Sequence, residues 1–236
     1  MTPLDLYALF RSDVVDDVAP YLWSDTEAWS YMNDAYRMFV RKTGGVPDNT
    51  TTSITQIPIV AGQATAQVSP LILRFTSAYL LSNYATVKII NEPQLDKLVT
   101  TSDYGSTAVN VRSNTQGAVR YMVTGMDRNA AHGMVRWVRV PQVDDTCMVG
   151  VMRLPVDVIS ENTADSMTTF PDIGEEHHEH LLLWMKHRAY GKQDAETFDR
   201  TKRDECKKEF EAYCAEAKAE WSRYKQQGES VAYGGL

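Results

Sequence analysis

The chain has 236 residues, 43% of them apolar and 23% charged, with a formal net charge of −7. That composition excludes wholesale disorder, and the length supports one large domain or two small ones. The charge is −4 over residues 1–53, zero over 54–170 and −3 over 171–236, so no segment has the basic excess of a phosphate-tracking surface, which argues against nucleic-acid binding as the main task.

Residues 1–53 read as a helical segment. The opening MTPLDLYALFRSDVVDD is acidic and lacks a long apolar run, which makes it neither a signal peptide nor a membrane span. A short helix is predicted around Leu4–Phe10, then an acidic connection ending in Pro20. In WSDTEAWSYMNDAYRMFVRKTGG, Ser24 and Glu27 have the spacing of a capping box, and Trp23 is placed to staple against Ala28. Trp29, Met32, Ala35, Tyr36, Phe39 and Val40 follow at helical spacing, and Gly44-Gly45 supplies the stop.

From Ile54 to Phe170 the apolar period changes to two. ITQIPIV, LILRFTSAYLL, TVKII, VRYMVTG, MVRWVRV and TCMVGVMR are strand candidates between Gly-, Asn-, Asp- and Ser-rich turns. In LILRFTSAYLL, alternation places Leu71, Leu73, Phe75, Tyr79 and Leu81 on one face, with Arg74, Thr76 and Ala78 on the other. About six short strands at this spacing suggest an antiparallel sandwich or barrel-like domain. After Pro171 a helix is expected from Glu175 to Tyr190, stopped by Gly191. A second helix is capped by Asp199 and runs to about Gln227, with Cys206, Phe210, Tyr213, Ala217, Trp221 and Tyr224 as its apolar stripe. Residues 171–227 thus form a helical hairpin packing with 1–53, and 228–236 a flexible tail. The fold class is α+β, a helical scaffold carrying an inserted β domain.

The densest set of potential metal ligands is EEHHEH, residues 175–180. Glu175 and Glu176 suit a helix first turn, where carboxylates meet the positive end of the dipole. The H-E-x-x-H pattern fails because Leu182 stands where its second histidine belongs. His180 and His187 lie about 10 Å apart along a helix, too far to share one ion. His178 falls on the stripe with Leu181, Leu182, Met185 and Ala189 and reads as a packed, hydrogen-bonded residue. Cys147 sits in an apolar strand as inert packing, and Asp144-Asp145 read as turn residues. Asp13, Asp16 and Asp17 lack the spacing of a calcium loop. The three cysteines, Cys147, Cys206 and Cys214, are too few and scattered for a disulfide scaffold or zinc module. No catalytic, cofactor or metal site is assigned, and the chain reads as a non-enzyme.

Interaction is favoured instead. Seven of the nine cations in residues 54–170 are arginine, the cation preferred where planar, partly desolvated pairing is needed. Arg112, Arg128 and Arg136, with Trp221 and Tyr224 on the last helix, are the candidates for an interface with another subunit or a partner protein. Two other classes stay open: a β-sandwich gripping carbohydrate or peptide through exposed Trp137 and Tyr121, and a metal-dependent enzyme using residues 175–180.

In order along the chain, PYLWSDTEAWSYMNDAYRMFVRKTG, ITQIPIVAGQATAQVSPLILRFTSAYL, VRWVRVPQVDDTCMVGVMRLPVDVI and the stretch from FPDIGEEHHEHLLLW to EAYCAEAKAE resemble tailed-phage head-to-tail adaptor proteins. The pattern departs from the family at Gly174, often proline there, and at His177, often tyrosine. The resemblance implies a structural virion protein made in the host cytoplasm, without membrane attachment. It implies a ring of about twelve copies under the portal protein, which extends the DNA channel and offers a platform to the tail, nozzle or next neck protein. Packaged DNA would pass an acidic lumen without specific binding. Contact with the portal is placed on the C-terminal end, Gln226, Gln227, Ser230, Val231, Tyr233, Gly234, Gly235 and Leu236, a segment with little to pack on internally.

Overall fold

The computed structural model describes residues 1–91, 93–95, 116–125, 133–160, 169–193 and 197–226. The chain divides into two compact units, Met1–Val46 with Pro155–Leu236, and Pro47–Leu154.

The first unit is helical. Helix α1, Pro3–Asp13, starts from a capping box between Thr2 and Asp5, with proline at its first position. Helix α2, Asp25–Thr43, has the box read from the sequence: Ser24 Oγ accepts from the Glu27 N–H, and the Glu27 carboxylate accepts from the Ser24 N–H at 2.9 Å. Gly44 ends α2 at φ +106°, the left-handed conformation glycine reaches without a Cβ penalty. Trp23 is buried beneath the cap, edge-on to Phe10 and Tyr190, and its indole N–H donates to the Ala189 carbonyl at 3.1 Å.

The sequence expectation of one helix from Glu175 to Tyr190 is corrected. A single 3-10 turn, Glu175–His177, is followed by helix α4, Leu181–Tyr190, which carries no side-chain cap. The reason is His178, buried with one ring nitrogen near the Met1 carbonyl and the other near that of Ile173, which anchors the turn to its surroundings ahead of a regular helix. Helix α5, Arg200–Gln226, starts at Asp199, whose carboxylate accepts from the Lys202 N–H. Trp184 packs on Phe210 at 5.1 Å and donates to Asp34 of α2 at 2.8 Å, while Lys42 of α2 pairs with Glu211 of α5 at 2.8 Å. Phe210, Cys214 and Ala217 form the buried stripe of α5, with Cys206, Tyr213 and Trp221 half-buried beside it. No helix among the described residues is long and apolar enough to cross a membrane.

The second unit holds two four-stranded sheets. Strands β1 (Val46–Asp48), β2 (Gln56–Ile59), β4 (Ile72–Leu80) and β8 (Asp145–Arg153) make the first; helix α3, Thr52–Thr55, leads into β2. Strands β3 (Thr65–Gln67), β7 (Met134–Val138), β6 (Tyr121–Thr124) and β5 (Lys88–Asn91) make the second, in that order. Of the antiparallel sandwich or barrel-like domain expected, the two sheets correspond to the sandwich; the barrel is corrected because the sheets remain two, and the purely antiparallel pairing is corrected because β5 and β6 pair in parallel. Their inner faces share one core: Ile57, Leu80, Cys147 and Val149 from the first sheet, Ala66, Met122, Val135 and Trp137 from the second.

The face assignment of β4 is also corrected. Leu71 and Phe75 pack against the core as the alternation places them, but Ala78 and Leu80 are buried and Leu73 and Leu81 exposed. Register shifts between Ile72 and Arg74 and between Phe75 and Ser77, against β8, change the parity of the strand. At the start of the unit, Asp48 accepts from Arg153 Nε at 2.5 Å and from the N–H groups of Thr50 and Thr51. Burial pushes the Asp48 carboxyl up, but these bonds outweigh it and hold it well below the usual carboxylate range.

Candidate assembly surfaces

The EEHHEH cluster holds helices together. His177 is buried, with Nδ1 2.8 Å from the Tyr213 hydroxyl, which itself donates to the Glu176 carbonyl at 3.2 Å. One phenol proton serves one acceptor, so both bonds are made when His177 carries a proton on Nδ1 and donates it to the phenol oxygen. Burial lowers its pKa below the ordinary histidine value, which favours the neutral form. His180 stacks on the Tyr213 ring at 3.4 Å, and His187 Nδ1 lies 2.9 Å from the Arg203 carbonyl. Among the described residues, no group of three or more His, Cys, Asp or Glu is placed to hold a metal ion.

The acidic connection after α1 carries more structure than its sequence signals. Arg11 is buried and donates to Asp16 and to the Trp23 carbonyl, both at 2.6 Å, and to Asp25 at 2.6 Å. Asp16, also buried, accepts from the N–H groups of Leu22 and Trp23. Its partner is therefore the guanidinium of Arg11 on α1, and Asp13 is taken by Lys186 at 2.8 Å. On this base the loop displays Val15 at 83% exposure and Val18 at 75%, with Tyr21 and Leu22 also exposed. Val15 sits at φ +57°, a region a β-branched residue occupies only when its surroundings impose it. The signal available in the sequence was the run VVDDV, valines set in an acidic loop between two helices.

In the second unit, Trp137 is 1% exposed and Tyr121 8%, so the aromatic platform needed for a carbohydrate- or peptide-gripping sheet is core instead. Arg136 lies on β7 and is half-buried; Arg112 and Arg128 fall outside the described residues. Trp221 is half-buried on α5, Tyr224 lies within the same helix, and Gln226 is its last residue. Gln227, Ser230, Val231, Tyr233, Gly234, Gly235 and Leu236 lie outside the described residues. Sequence reasoning did not find a cleft of about 300 Å³, lined by Ile59, Leu80, Val119, Pro141 and Val143, where four separate segments of the second unit meet. Its loops are fastened by Asp144, which accepts from the Ala61 N–H at 2.7 Å, and by Asp145, which accepts from the Ser82 hydroxyl at 2.6 Å. Val143 stands at its mouth, 74% exposed.

What the described surfaces present is apolar side chains and ion-paired loops, the chemistry of protein contact. The comparison with protein-family models agrees, since residues 1–232 match the model described as SU10 adaptor protein. The chain belongs to the SU10 adaptor protein family. The resemblance to phage head-to-tail adaptors read from the sequence is therefore correct, and this family member is a structural adaptor and a component of the virion. No curated protein matches the chain at a significant level.

Proposed function

We propose that this adaptor assembles as a ring of about twelve copies beneath the portal, extending the DNA channel and carrying the next tail or neck component. The observation that carries the reading is the family match over residues 1–232. In this reading the helices from both chain ends form a scaffold, with α4 and α5 as its C-terminal hairpin, and the β unit supplies the variable contact surface. The C-terminal end, Gln226–Leu236, engages the portal protein. Arg112, Arg128, Arg136, Trp221 and Tyr224 serve subunit or tail interfaces. Packaged DNA passes the lumen without specific binding, because an acidic wall repels phosphate.

Mass measurement of the purified adaptor, alone and mixed with its portal ring, tests this directly. A gain of about a dozen subunits on the portal particle is expected; a portal particle of unchanged mass sinks the reading. Deletion of residues 228–236 is expected to abolish portal binding with an unchanged circular dichroism spectrum. Full binding by the truncated chain removes the C-terminal assignment and leaves the ring in place.

A further inference from the structure

We infer that the Val15–Leu22 loop of one copy seats in the β-unit cleft of a second copy, and that this contact repeats around the ring; the inference rests on the ring reading above. Single exposed apolar residues are ordinary on protein surfaces. Val15, Val18, Tyr21 and Leu22 are four within eight positions, all exposed, on a loop pinned from beneath by the buried Arg11–Asp16 pair. A loop already fixed loses little conformational freedom when it binds, so its apolar display is suited to docking.

The receiving surface is chosen by shape and charge. At about 300 Å³ the cleft lies at the lower end of ligand-sized pockets, a size for side chains from a loop more than for a whole helix. The residues Pro47–Leu154 carry nine Lys and Arg against seven Asp and Glu, whereas the rest of the chain carries fifteen against twenty-four. A helical unit set against another helical unit brings acid to acid. A helical unit set against the β unit of a second copy brings opposite signs together. The same complementarity appears at the residues. Exposed Asp17 precedes Val18, and exposed Arg120 follows Val119 of the cleft lining, so each apolar surface has a charged neighbour of opposite sign in the chain. The two carboxylates at the cleft, Asp144 and Asp145, are engaged by their own loops through Ala61 and Ser82. Because loop and cleft are different surfaces, the contact is heterologous and can close into a ring.

The test is a cysteine pair, V18C with V143C in a Cys206→Ser background, assembled on the portal ring and mildly oxidised. Cys147 and Cys214 are buried, and both new positions are highly exposed, so folding is not at stake. A ladder of disulfide-linked multimers from the pair, with monomer from each single variant, is the expected result. V15D/V18D is expected to lower the assembled fraction about tenfold or more, equivalent to about 1.4 kcal/mol of contact energy. Rings that form normally with V15D/V18D, and a pair that gives no ladder, overturn the contact while leaving the ring reading intact. Loss of portal binding by V15D/V18D with portal-free rings unaffected makes the portal the occupant of the loop, and also overturns it. Failure of the unaltered chain to gain mass on the portal removes the ring reading itself.

Discussion

Two buried polar residues define what this chain tolerates. Asp48 accepts from the buried guanidinium of Arg153, and removing its carboxylate breaks a buried ion pair. Asp48→Ala is expected to destabilise the β unit by about 3–5 kcal/mol, the usual cost of breaking a buried pair, read as a lower urea midpoint. Because the folded carboxyl is held below its unfolded range, its stabilisation is complete above the ordinary carboxylate pKa and is lost as pH falls through the folded one. His177 has the opposite charge type and the same direction. Its folded pKa lies below 6.5, so the unfolded chain takes up a proton first and stability falls as pH drops below that value. Urea midpoints of the helical unit between pH 5 and 8 are expected to show this decline, flattened in H177Q. An identical slope in the variant assigns the pH dependence elsewhere.

At the scale of elements, local chemistry was legible and non-local pairing was not. The Ser24–Glu27 box, the Gly44 stop and the Asp199 cap are all written within four residues of the backbone groups they satisfy, and each is present in the structure. Ser24→Ala is expected to cost about 1 kcal/mol, visible as a small drop in thermal midpoint with the fold retained. The inward face of β4 could not be read from its own alternation, since its two register shifts exist only against β8. Strands β1 and β3, three residues each, are too short to show a period and went unpredicted. The break between the turn at Glu175–His177 and α4 depends on His178 reaching the Met1 and Ile173 carbonyls, one of them at the far end of the sequence. For the same reason the buried charges that pin the Val15–Leu22 loop were not legible in sequence. Arg11, Asp16 and Asp25 look like surface charges until the fold closes them around one another.

At the scale of the whole molecule, the thiols offer a separate reporter for each unit. Burial pushes Cys147 in the β unit and Cys214 in the helical unit each up to about 12, while Cys206 is only half-buried. A thiol reagent is therefore expected to label no more than one cysteine in the native chain and all three after denaturation. Following Cys147 and Cys214 by mass along a urea series shows whether the two units open together or in turn; prompt native labelling of either contradicts its burial. The way the β unit is strung also has a consequence. Strand β8 gives one edge to β4 and the other to β2 and β1, so the strand by which the chain enters this unit lies beside the strand by which it leaves. Neighbouring strands are about 4.8 Å apart, a gap that hardly changes with the length of what is threaded between them. Ion pairing of Asp48 with Arg153 clasps the two ends. The interior stretch can accordingly be lengthened, shortened or replaced while its points of attachment stay put, which makes this half of the chain an exchangeable cartridge.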